Sequence, residues 1–516
     1  MHKKRWWLFI LIFALFFMGS LKTMEVWAGE SVDTLSAEDL AGRTAGVMVG
    51  TPQDDIIGKS INDVQFLFYN AYTDMILALE EKKIDFFTAS TVAFGLIKDS
   101  HPDLIALENI SLKDIDTGAV FAMNSTGESL KKEYDQYLSE IEENGKLNEI
   151  GDYWKTSYEK EPVEIPTEGS KGRIRIAANS TAEPYAYILN GEPAGMDIDV
   201  AADFCRSRGY AMEITMVDPS GSIPGVVAGK FDMAVGQITY TEERAETVLY
   251  SELYDHQQMV PIANRKNLKV FGIENEDDSQ KEETNFIDKI VESFQKTFIR
   301  EERWKLIVKG LINTILLTVL SAFFGTLLGF GIFSLKRKGG KSLLIFVDWY
   351  IKILQGLPMV LLLMILYYVV FGNSNFPAFW VALLGFALNF SAYVAVVIES
   401  GVESIDRGQN EAALALGYTQ RQAFHLFILP QAILRTLPVY RGQLVSLLKG
   451  TAVVGYIAIE DLTKISDIIR SRTYEAFFPL IVTAILYFFL SWLIGIAIEH
   501  TGDFMDPRKK KMKKED

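Results

Sequence analysis

Few residues of this chain have the types and spacing that chemistry requires. The string LKRKGGKS at 335–342 ends like a phosphate-binding loop, but the full pattern needs a glycine at Leu335 and a preceding strand. An apolar run of membrane length precedes it, so we interpret the string as a basic turn. The five histidines show no ligand spacing, and one cysteine, Cys205, excludes an internal disulfide and a cysteine-built zinc site. No nucleophile elbow, kinase signature or paired catalytic acid is present, so we expect no enzyme, metal or cofactor, and any ATP to be used by a partner.

The composition predicts membrane segments joined to an acidic soluble part. The chain has 516 residues, is 49% hydrophobic and carries a net charge of −15. This length suits two to four domains, and the acidic balance argues against a nucleic-acid partner.

The N-terminus carries a targeting or anchoring signal. MHKKR precedes the apolar run WWLFILIFALFFMGSL, as a basic region does in a secretory signal. We favour a signal peptide, residues 1–28, cut after Ala28; an uncleaved anchor is the alternative. Both place the next segment outside the membrane.

The soluble half is expected to be α/β. Short β-rich runs such as TAGVMVG, KIDFFTA, RIRIAA and KFDMAVG alternate with helical patterns. The divisions are 29–126, the helical stretch 127–158, the linker 159–171, and 172–265. Within the following linker, 266–303, residues 286–303 form an amphipathic stretch that lies along the membrane surface or packs on the soluble domain.

The region 304–500 is predicted to cross the membrane five times. Residues 307–333, 377–398 and 477–498 are long and apolar enough to span it. The run 343–371 is weaker because of Asp348 and Lys352, which we place at one interface; Gly356 and Pro358 predict a bend. The run 436–459 contains Arg441 and Lys449, which would have to face protein or water.

Charge predicts the orientation. With the soluble half outside, the basic loop 336–341 and the basic tail 501–516 both fall inside, as the positive-inside rule requires. The loop 400–432 then faces the cytoplasm, and the chain is expected in a bacterial cell membrane in contact with lipid.

That loop encodes two short helices. Residues 411–416 are strong helix formers, and Gly417 is expected to stop the first helix. Thr419 and Gln422 have capping-box spacing and start the second, which Pro430 is expected to close.

The loop resembles the EAA segment of bacterial ABC importer permeases, and the polar amino acid importers in particular. The matching residues are Gly408-Gln409-x-Glu411-Ala412-Ala413-x-x-Leu416-Gly417, Leu429-Pro430-Gln431-Ala432, Gln355-Gly356-x-Pro358, Ala392-Tyr393 and Leu447-Leu448-Lys449-x-Thr451. The resemblance implies an ABC ATPase dimer docking on Glu411, Ala412, Ala413, Gly417 and Pro430, and a second permease copy, most economically in a homodimer. Val396, Glu399, Gly450 and Ala452 depart from the family pattern.

The soluble half resembles the substrate-binding protein of the same systems. Residues 172–262 are similar to its first lobe, through Gly195-x-Asp197-Ile198-Asp199, Gly229-Lys230-Phe231-Asp232 and Ile238-Thr239-x-Thr241-Glu242-Glu243-Arg244; residues 36–125 are similar to its second lobe and 127–156 to its returning helices. The implied fold is an α/β periplasmic-binding-protein clamshell, circularly permuted, fused to an all-α five-helix ABC importer permease domain. Two truncated binding domains are the alternative.

The same resemblance implies a solute site between the lobes. Arg244 would grip a carboxylate with two parallel hydrogen bonds, or else form a surface salt bridge to Glu243 or Glu246. The remaining candidates are Thr239, Gln237, Thr51, Asn179 and Ser90.

Three of the positions depart from the family. Ser90 stands where relatives have an Asp for the α-ammonium, and Ala182 and Pro219 stand where they have aromatic residues. Glu183 and Asp54 are the candidates to compensate. Otherwise the ligand is no simple α-amino acid, or the domain has lost binding.

Together these features predict a permease subunit of an ABC importer that takes up a small polar solute, amino-acid-like. The alternative is a solute-sensing membrane receptor with a binding-protein-like ectodomain. A receptor would need a cytoplasmic signalling domain, whereas only a short basic tail follows the last helix.

Overall fold

A computed structural model describes residues 35–505, except 99, 111, 157–159, 272–290, 292, 373, 375 and 476. The predicted N-terminal signal and the basic tail lie outside the described residues, as does most of the amphipathic stretch. The described chain has an α/β half, 35–271, and a helical half that follows it.

One sheet forms the core of what we call the second lobe. Its order is β2-β1-β3-β15-β4. All five residues of β3 are buried, as expected for an interior strand covered by helices on both faces. The elements are β1 Thr44–Met48, α1 Gln53–Ser60, β2 Gln65–Tyr69, α2 Tyr72–Glu80, β3 Phe86–Ser90, α3 Thr91–Lys98, β4 Leu104–Ala106 and β15 Met259–Asn264.

A second sheet, of order β11-β7-β12-β6-β13, forms the first lobe. Its core includes Trp154 and Tyr134 from the two helices that precede the linker. The elements are β6 Val120–Ala122, α4 Ser125–Glu143, α5 Lys146–Thr156, β7 Arg173–Asn179, α6 Met196–Arg208, β11 Ala211–Val217, α7 Pro219–Val227, β12 Met233–Val235, α8 Glu242–Ala245 and β13 Val248–Tyr250, with the small sheet β8 Thr181–Ala182, β9 Ala186–Leu189 and β10 Glu192–Ala194.

Each sheet contains a strand from the other half of the soluble sequence. The early strand β6 pairs with both β12 and β13 in the first lobe, and the late strand β15 pairs with β3 and β4 in the second. Two short antiparallel strands, β5 Ile115–Thr117 and β14 Asp255–Gln257, lie at the crossings between the lobes. Neither sheet is complete without both parts of the chain.

The helical half contains three helices long and apolar enough to span a membrane, or five such segments if two bent pairs each count as one, over the part that the structure describes. The three are α9 Trp304–Lys338, α12 Ala378–Glu403 and α17 Phe477–Met505. The first bent pair, α10 Lys341–Gly356 and α11 Met359–Met364 with a π-helical extension to Val370, turns by 107° at Leu357-Pro358, where the sequence predicted a bend.

The second bent pair begins in the predicted coupling loop. It runs from α14 Gln420–Ala423 through a π-helical stretch, Phe424–Ile428, into α15 Leu429–Gly450 and a 3₁₀ stretch, Thr451–Ile457, and then bends by 52° into α16 Leu462–Thr473. By mean hydropathy, each bent pair could form one membrane span. The last helix of the second pair, α16, nevertheless carries Lys464, Arg470 and Arg472, which contact the α/β half.

The expected helix end at Pro430 was wrong. Pro430 lies in the first turn of α15, and the helix continues for a further 20 residues. Proline is tolerated at that position because the missing N–H is not needed there, and the wider π-helical turn before it changes the hydrogen-bond pattern.

Candidate functional site

The two lobes meet closely at the predicted solute cleft. A Cβ added to Gly50 of the second lobe would lie 2.7 Å from the backbone nitrogen of Ser220 in the first. The cleft keeps two small cavities of about 50 and 30 Å³, far below the roughly 300 Å³ at which ligand pockets usually begin. The structure therefore shows a closed clamshell.

Five of the six predicted binding residues surround these cavities. Thr51, Asn179, Gln237 and Thr239 line both, and Arg244 lines the smaller. The arrangement places one cation and several polar groups from both lobes around a single cleft.

Arg244 lies at the junction of the lobes. One of its guanidinium nitrogens donates to the carbonyl oxygen of Thr239 at 3.1 Å, and the other donates to that of Gly50 at 2.8 Å. These carbonyl contacts replace the surface salt bridge to Glu243 or Glu246 that was the alternative. Because Gly50 and Arg244 belong to different lobes, the side chain joins the two.

The loop that carries Gln237 is held by Asp197. Gln237 has a left-handed backbone, φ 55°, and its N–H donates to Asp197 Oδ2 at 2.8 Å, beside a second bond of 3.0 Å from Gly236 N–H. The Gln237 side chain then donates to Gln257 Oε1 at 2.9 Å. Asp197 thus fixes the backbone from which a cleft residue projects.

Asp197 is an acidic residue at a buried position. It is 1% exposed, and burial raises its pKa to about 6, with the nearby Asp255 adding to the effect while the N–H donors of Gln237 and Gly236 oppose it. The sequence motif includes Asp197 but does not predict this positioning role, because its pairing with the left-handed backbone at Gln237 is visible only in the fold.

Three other predicted side chains, Thr51, Asn179 and Ser90, have local hydrogen-bond partners. The hydroxyl of Thr51 donates to Met48 O at 2.8 Å, and Asn179 Oδ1 accepts from Thr181 N–H at 3.1 Å. Ser90 is buried, its Oγ accepts from Ala93 N–H at 3.2 Å, and it is not among the described residues around either cleft cavity. Ser90 therefore caps α3 and does not join the cleft.

Neither proposed compensating carboxylate reaches the cleft. Glu183 forms an ion pair with Arg472 of α16, and Asp54 is absent from the described residues that line the two cavities. Ala182 does line the larger cavity, without an aromatic face to offer. Within the described residues, no group of three or more His, Cys, Asp or Glu could hold a metal ion.

The predicted coupling segment has the expected local geometry. The helix α13, Arg407–Ala415, is followed by Gly417 with φ 88°, and Thr419 and Gln422 form a capping box at the start of α14. Ala413 is buried, Glu411 and Ala412 are exposed, and Leu416 at the tip is 76% exposed. Leu414 and Tyr418 on either side of it are exposed as well, so the tip between the two short helices presents several apolar groups together.

This segment and the clamshell lie at opposite ends of α12. Lys230 of the first lobe donates to the carbonyls of Ser374 and Phe376, at 3.0 and 3.2 Å, just before α12 begins. The helix has 26 residues and is therefore roughly 39 Å long at about 1.5 Å per residue. It ends at Glu403, four residues before α13.

The clamshell packs on α16 through both lobes. Lys464 pairs with Asp218 of the first lobe, and Arg470 with Asp74 of the second. Apolar contacts add Ile188 of the first lobe to Ile465 and Ile468. These cations were not among the predicted functional residues, because their partners lie hundreds of positions away in the sequence.

Comparison with known families matches both halves. The family "Bacterial extracellular solute-binding proteins, family 3" matches residues 174–354, and "Binding-protein-dependent transport system inner membrane component" matches 321–511. The first match begins within β7 and runs on into α10.

Curated relatives cover the helical half. The putative glutamine transport system permease protein GlnP of Rickettsia bellii is 34% identical over 191 residues, which are 37% of this chain and 88% of the relative. The arginine transport system permease protein ArtQ of Bacillus subtilis is 33% identical over 198 residues, 37% of this chain and 90% of the relative. A solved structure titled "Crystal structure of an amino acid ABC transporter with histidines" is 33% identical, covering 42% of this chain and 98% of that one, with a TM-score of 0.37.

Proposed function

The chain belongs to the binding-protein-dependent permeases of ABC importers, and from this premise we propose that it imports a polar amino acid or a related small solute. It is an integral membrane protein with a fused α/β solute-binding domain, a transport subunit with no catalytic role of its own. The relatives named for glutamine and arginine transport support the solute class.

The clamshell belongs outside the cell and the coupling segment inside. The separation of the two along α12 supports this assignment, together with the basic residues that flank the inner ends of the spans. In the proposed cycle the clamshell captures solute, closes, and docks on the helical half. ATP binding to a separate ATPase dimer, transmitted through residues 411–430, then opens the path outward, and hydrolysis resets it.

We assign the soluble half as one circularly permuted clamshell. The exchange of β6 and β15 between the two sheets supports a single domain, since two truncated domains would each leave a sheet incomplete. Permutation is tolerated where chain ends lie close together at the surface. Two separate thermal transitions of the two lobes would oppose this assignment.

A second copy of the chain completes the membrane part. Exposed positions of α15 include Gly442, Ser446 and Lys449, and a lysine facing lipid at mid-bilayer costs roughly 2.5–3.5 kcal/mol. A homodimer that covers this face removes the cost. Cysteine placed at Val439, 55% exposed on the same helix, should cross-link two copies, whereas cysteine at Phe488, 69% exposed on α17, should not.

The exposed tip of the coupling segment is the observation that supports the proposal most directly. Thiol labelling of the tip tests whether it faces the inside of the cell. The only native thiol, Cys205, is fully buried, and burial raises its pKa to about 12, so a thiol introduced by Leu416→Cys reports alone. We expect a membrane-impermeant maleimide to label Leu416→Cys in inverted vesicles but not in intact cells, and labelling to fall when the ATPase is bound. Labelling from outside intact cells would refute the assignment.

A matched pull-down checks the partner. The change Leu416→Asp puts a charge on the apolar tip and should abolish co-purification of the ATPase. The same charge introduced by Leu426→Asp, at a residue 59% exposed on the following π-helical turn, tests whether the tip itself is required.

A further inference from the structure

One wall of the solute cleft is a short hairpin formed by β8 and β9. The two residues of β8, Thr181 and Ala182, line the larger cleft cavity, and they pair with Tyr187 and Ala186 of β9. β8 is the edge strand of its three-stranded sheet, so its backbone pairs on one side only. Because so short a strand is held weakly by backbone hydrogen bonds alone, the position of this wall depends on side-chain contacts.

Side chains of α16, outside the clamshell, supply such contacts. Arg472 forms an ion pair with Glu183, the residue that follows β8, and its guanidinium carbon lies 4.5 Å from the centre of the Tyr187 ring on β9. At the other end of β8, Lys464 Nζ donates to Ser180 Oγ at 3.1 Å. Two cations of one helix therefore hold the hairpin on both sides of the residues that line the cleft.

Arg472 is itself fixed by the start of the helical half. A second guanidinium nitrogen donates to Glu301 Oε1 at 2.8 Å, and Arg303 pairs with the same oxygen at 2.8 Å. Both Glu301 and Arg303 come just before α9. The Arg472, Glu183 and Arg303 side chains are 11%, 15% and 7% exposed, so salt screens these pairs little. The ion pair thus ties the hairpin to the helical half.

The facing wall of the cleft has support within its own lobe. Gln53 of the second lobe lines the same cavity. Its Oε1 accepts from Met48 N–H at 2.7 Å, and its Nε2 donates to the carbonyl oxygen of Thr88 at 3.1 Å. The two walls of the cleft are therefore positioned differently, one from within the clamshell and the other from α16.

We propose that Arg472 is a positioning residue of the solute cleft, which acts through Glu183 to hold the β8–β9 hairpin in the geometry that binds solute. Lys464 supports the same hairpin through Ser180. Glu183 thus contributes to the site through the position of the hairpin and not through contact with the solute. This inference rests on the proposed importer function and deepens it, since it assigns residues of the helical half to the solute affinity of the clamshell.

Hydrogen exchange of the detergent-solubilised full chain tests the positioning role without a ligand. Glu183→Gln keeps the size of the side chain and removes its charge, and Arg472→Lys keeps the cation that Arg472→Gln removes. Glu213→Gln is the matched control, an exposed carboxylate of β11 paired with Arg173 at 3.1 Å. We expect Glu183→Gln and Arg472→Gln to speed exchange of the amides of 181–187 at least threefold, and Arg472→Lys and Glu213→Gln to stay below that change.

Calorimetry of L-glutamine and L-arginine binding to the same proteins tests the effect on affinity. We expect Glu183→Gln and Arg472→Gln each to raise Kd at least fivefold, and the double variant to raise it no further than the larger single change, because all three remove the same ion pair. Arg472→Lys should restore Kd to within threefold, and Glu213→Gln should match the wild type. Each variant is first shown to be folded by a cooperative melting transition of Trp154 fluorescence, since a purely structural role would lower the melting temperature and leave Kd of the folded protein unchanged.

The outcomes separate this inference from the proposed function. Exchange in the hairpin that changes less than threefold overturns the positioning role, and so does a Kd that changes less than fivefold. Wild-type binding without ATP-driven uptake, measured with the full chain and its ATPase in liposomes, overturns the importer assignment, and the positioning role then stands or falls with the exchange and Kd results. A wild type that binds neither amino acid overturns both the proposed solute class and this inference.

Discussion

The buried carboxylate of Asp197 makes the stability of the clamshell depend on pH in a direction that can be worked out. Its pKa is about 6 in the folded protein against an ordinary 3.8, so the folded state holds the proton more tightly than the unfolded chain. The resulting stabilisation is fully present below pH 3.8 and is lost as pH rises through 6. At about 1.4 kcal/mol per pKa unit, its ceiling is about 3 kcal/mol.

At pH 5 the expected contribution is about 1.4 kcal/mol relative to pH 7.5, because pH 5 lies one unit below the folded pKa. For a unit of this size, 1 kcal/mol shifts the melting temperature by roughly 2–4 °C. The clamshell transition of the detergent-solubilised full chain, followed by the fluorescence of the buried Trp154, should therefore rise by about 3–6 °C more in the wild type than in Asp197→Asn between pH 7.5 and pH 5.

The asparagine variant isolates the effect. Its side-chain oxygen can accept the same two backbone N–H bonds from Gly236 and Gln237, but it does not titrate. The other titrating groups are common to both proteins, so their pH dependence cancels in the difference. An equal pH dependence of the two proteins would refute the argument that Asp197 is protonated through burial.

Three further changes test separate parts of the molecule. Gly417→Ala places a side chain at φ 88° with no neighbouring atom within 4 Å, so backbone strain of roughly 1–2 kcal/mol should weaken ATPase co-purification, whereas Gly331→Ala, within α9 and also with no neighbouring atom within 4 Å, should not; equal retention of the ATPase would contradict this. Arg244→Met removes the only guanidinium at the smaller cleft cavity among the described residues and should lower solute affinity by tenfold or more in calorimetry, with the exposed Arg173→Met as its control; unchanged affinity would remove Arg244 from the site. Lys230→Met leaves the carbonyls of Ser374 and Phe376 without their donor, at a cost of roughly 1–3 kcal/mol, and should speed hydrogen exchange at the start of α12; protection equal to the wild type would show that the contact does not hold this segment.

The sequence predicted helix ends and starts correctly where they depend only on neighbouring residues. Gly417 ends a helix and Thr419 with Gln422 starts another, because glycine tolerates a left-handed backbone and a capping box is complete within four residues. Pro430 failed as a helix end because the π-helical turn before it, which depends on packing, has no comparable sequence signal.

The sequence likewise predicted residues of the cleft but not the contacts between the clamshell and α16. The motifs of the binding-protein family identified five polar residues that line one cleft. They did not indicate that the closed cleft retains cavities of only about 50 and 30 Å³. The ion pair between Asp74 and Arg470 joins residues 396 positions apart. Long-range pairs of this kind depend on how the two halves are seated, and a single sequence carries no signal of that arrangement.

The path from the coupling segment to the clamshell is one nearly unbroken helical stretch. From Gln420 to Ile457 the chain stays helical, and after a 52° bend it becomes α16, which holds both lobes. At about 1.5 Å per residue the first part is roughly 57 Å long, enough to cross a bilayer core of about 30 Å. At the far end of this stretch, Lys464 and Arg470 hold opposite lobes, so the coupling segment is joined to both lobes of the clamshell through one continuous run of the chain.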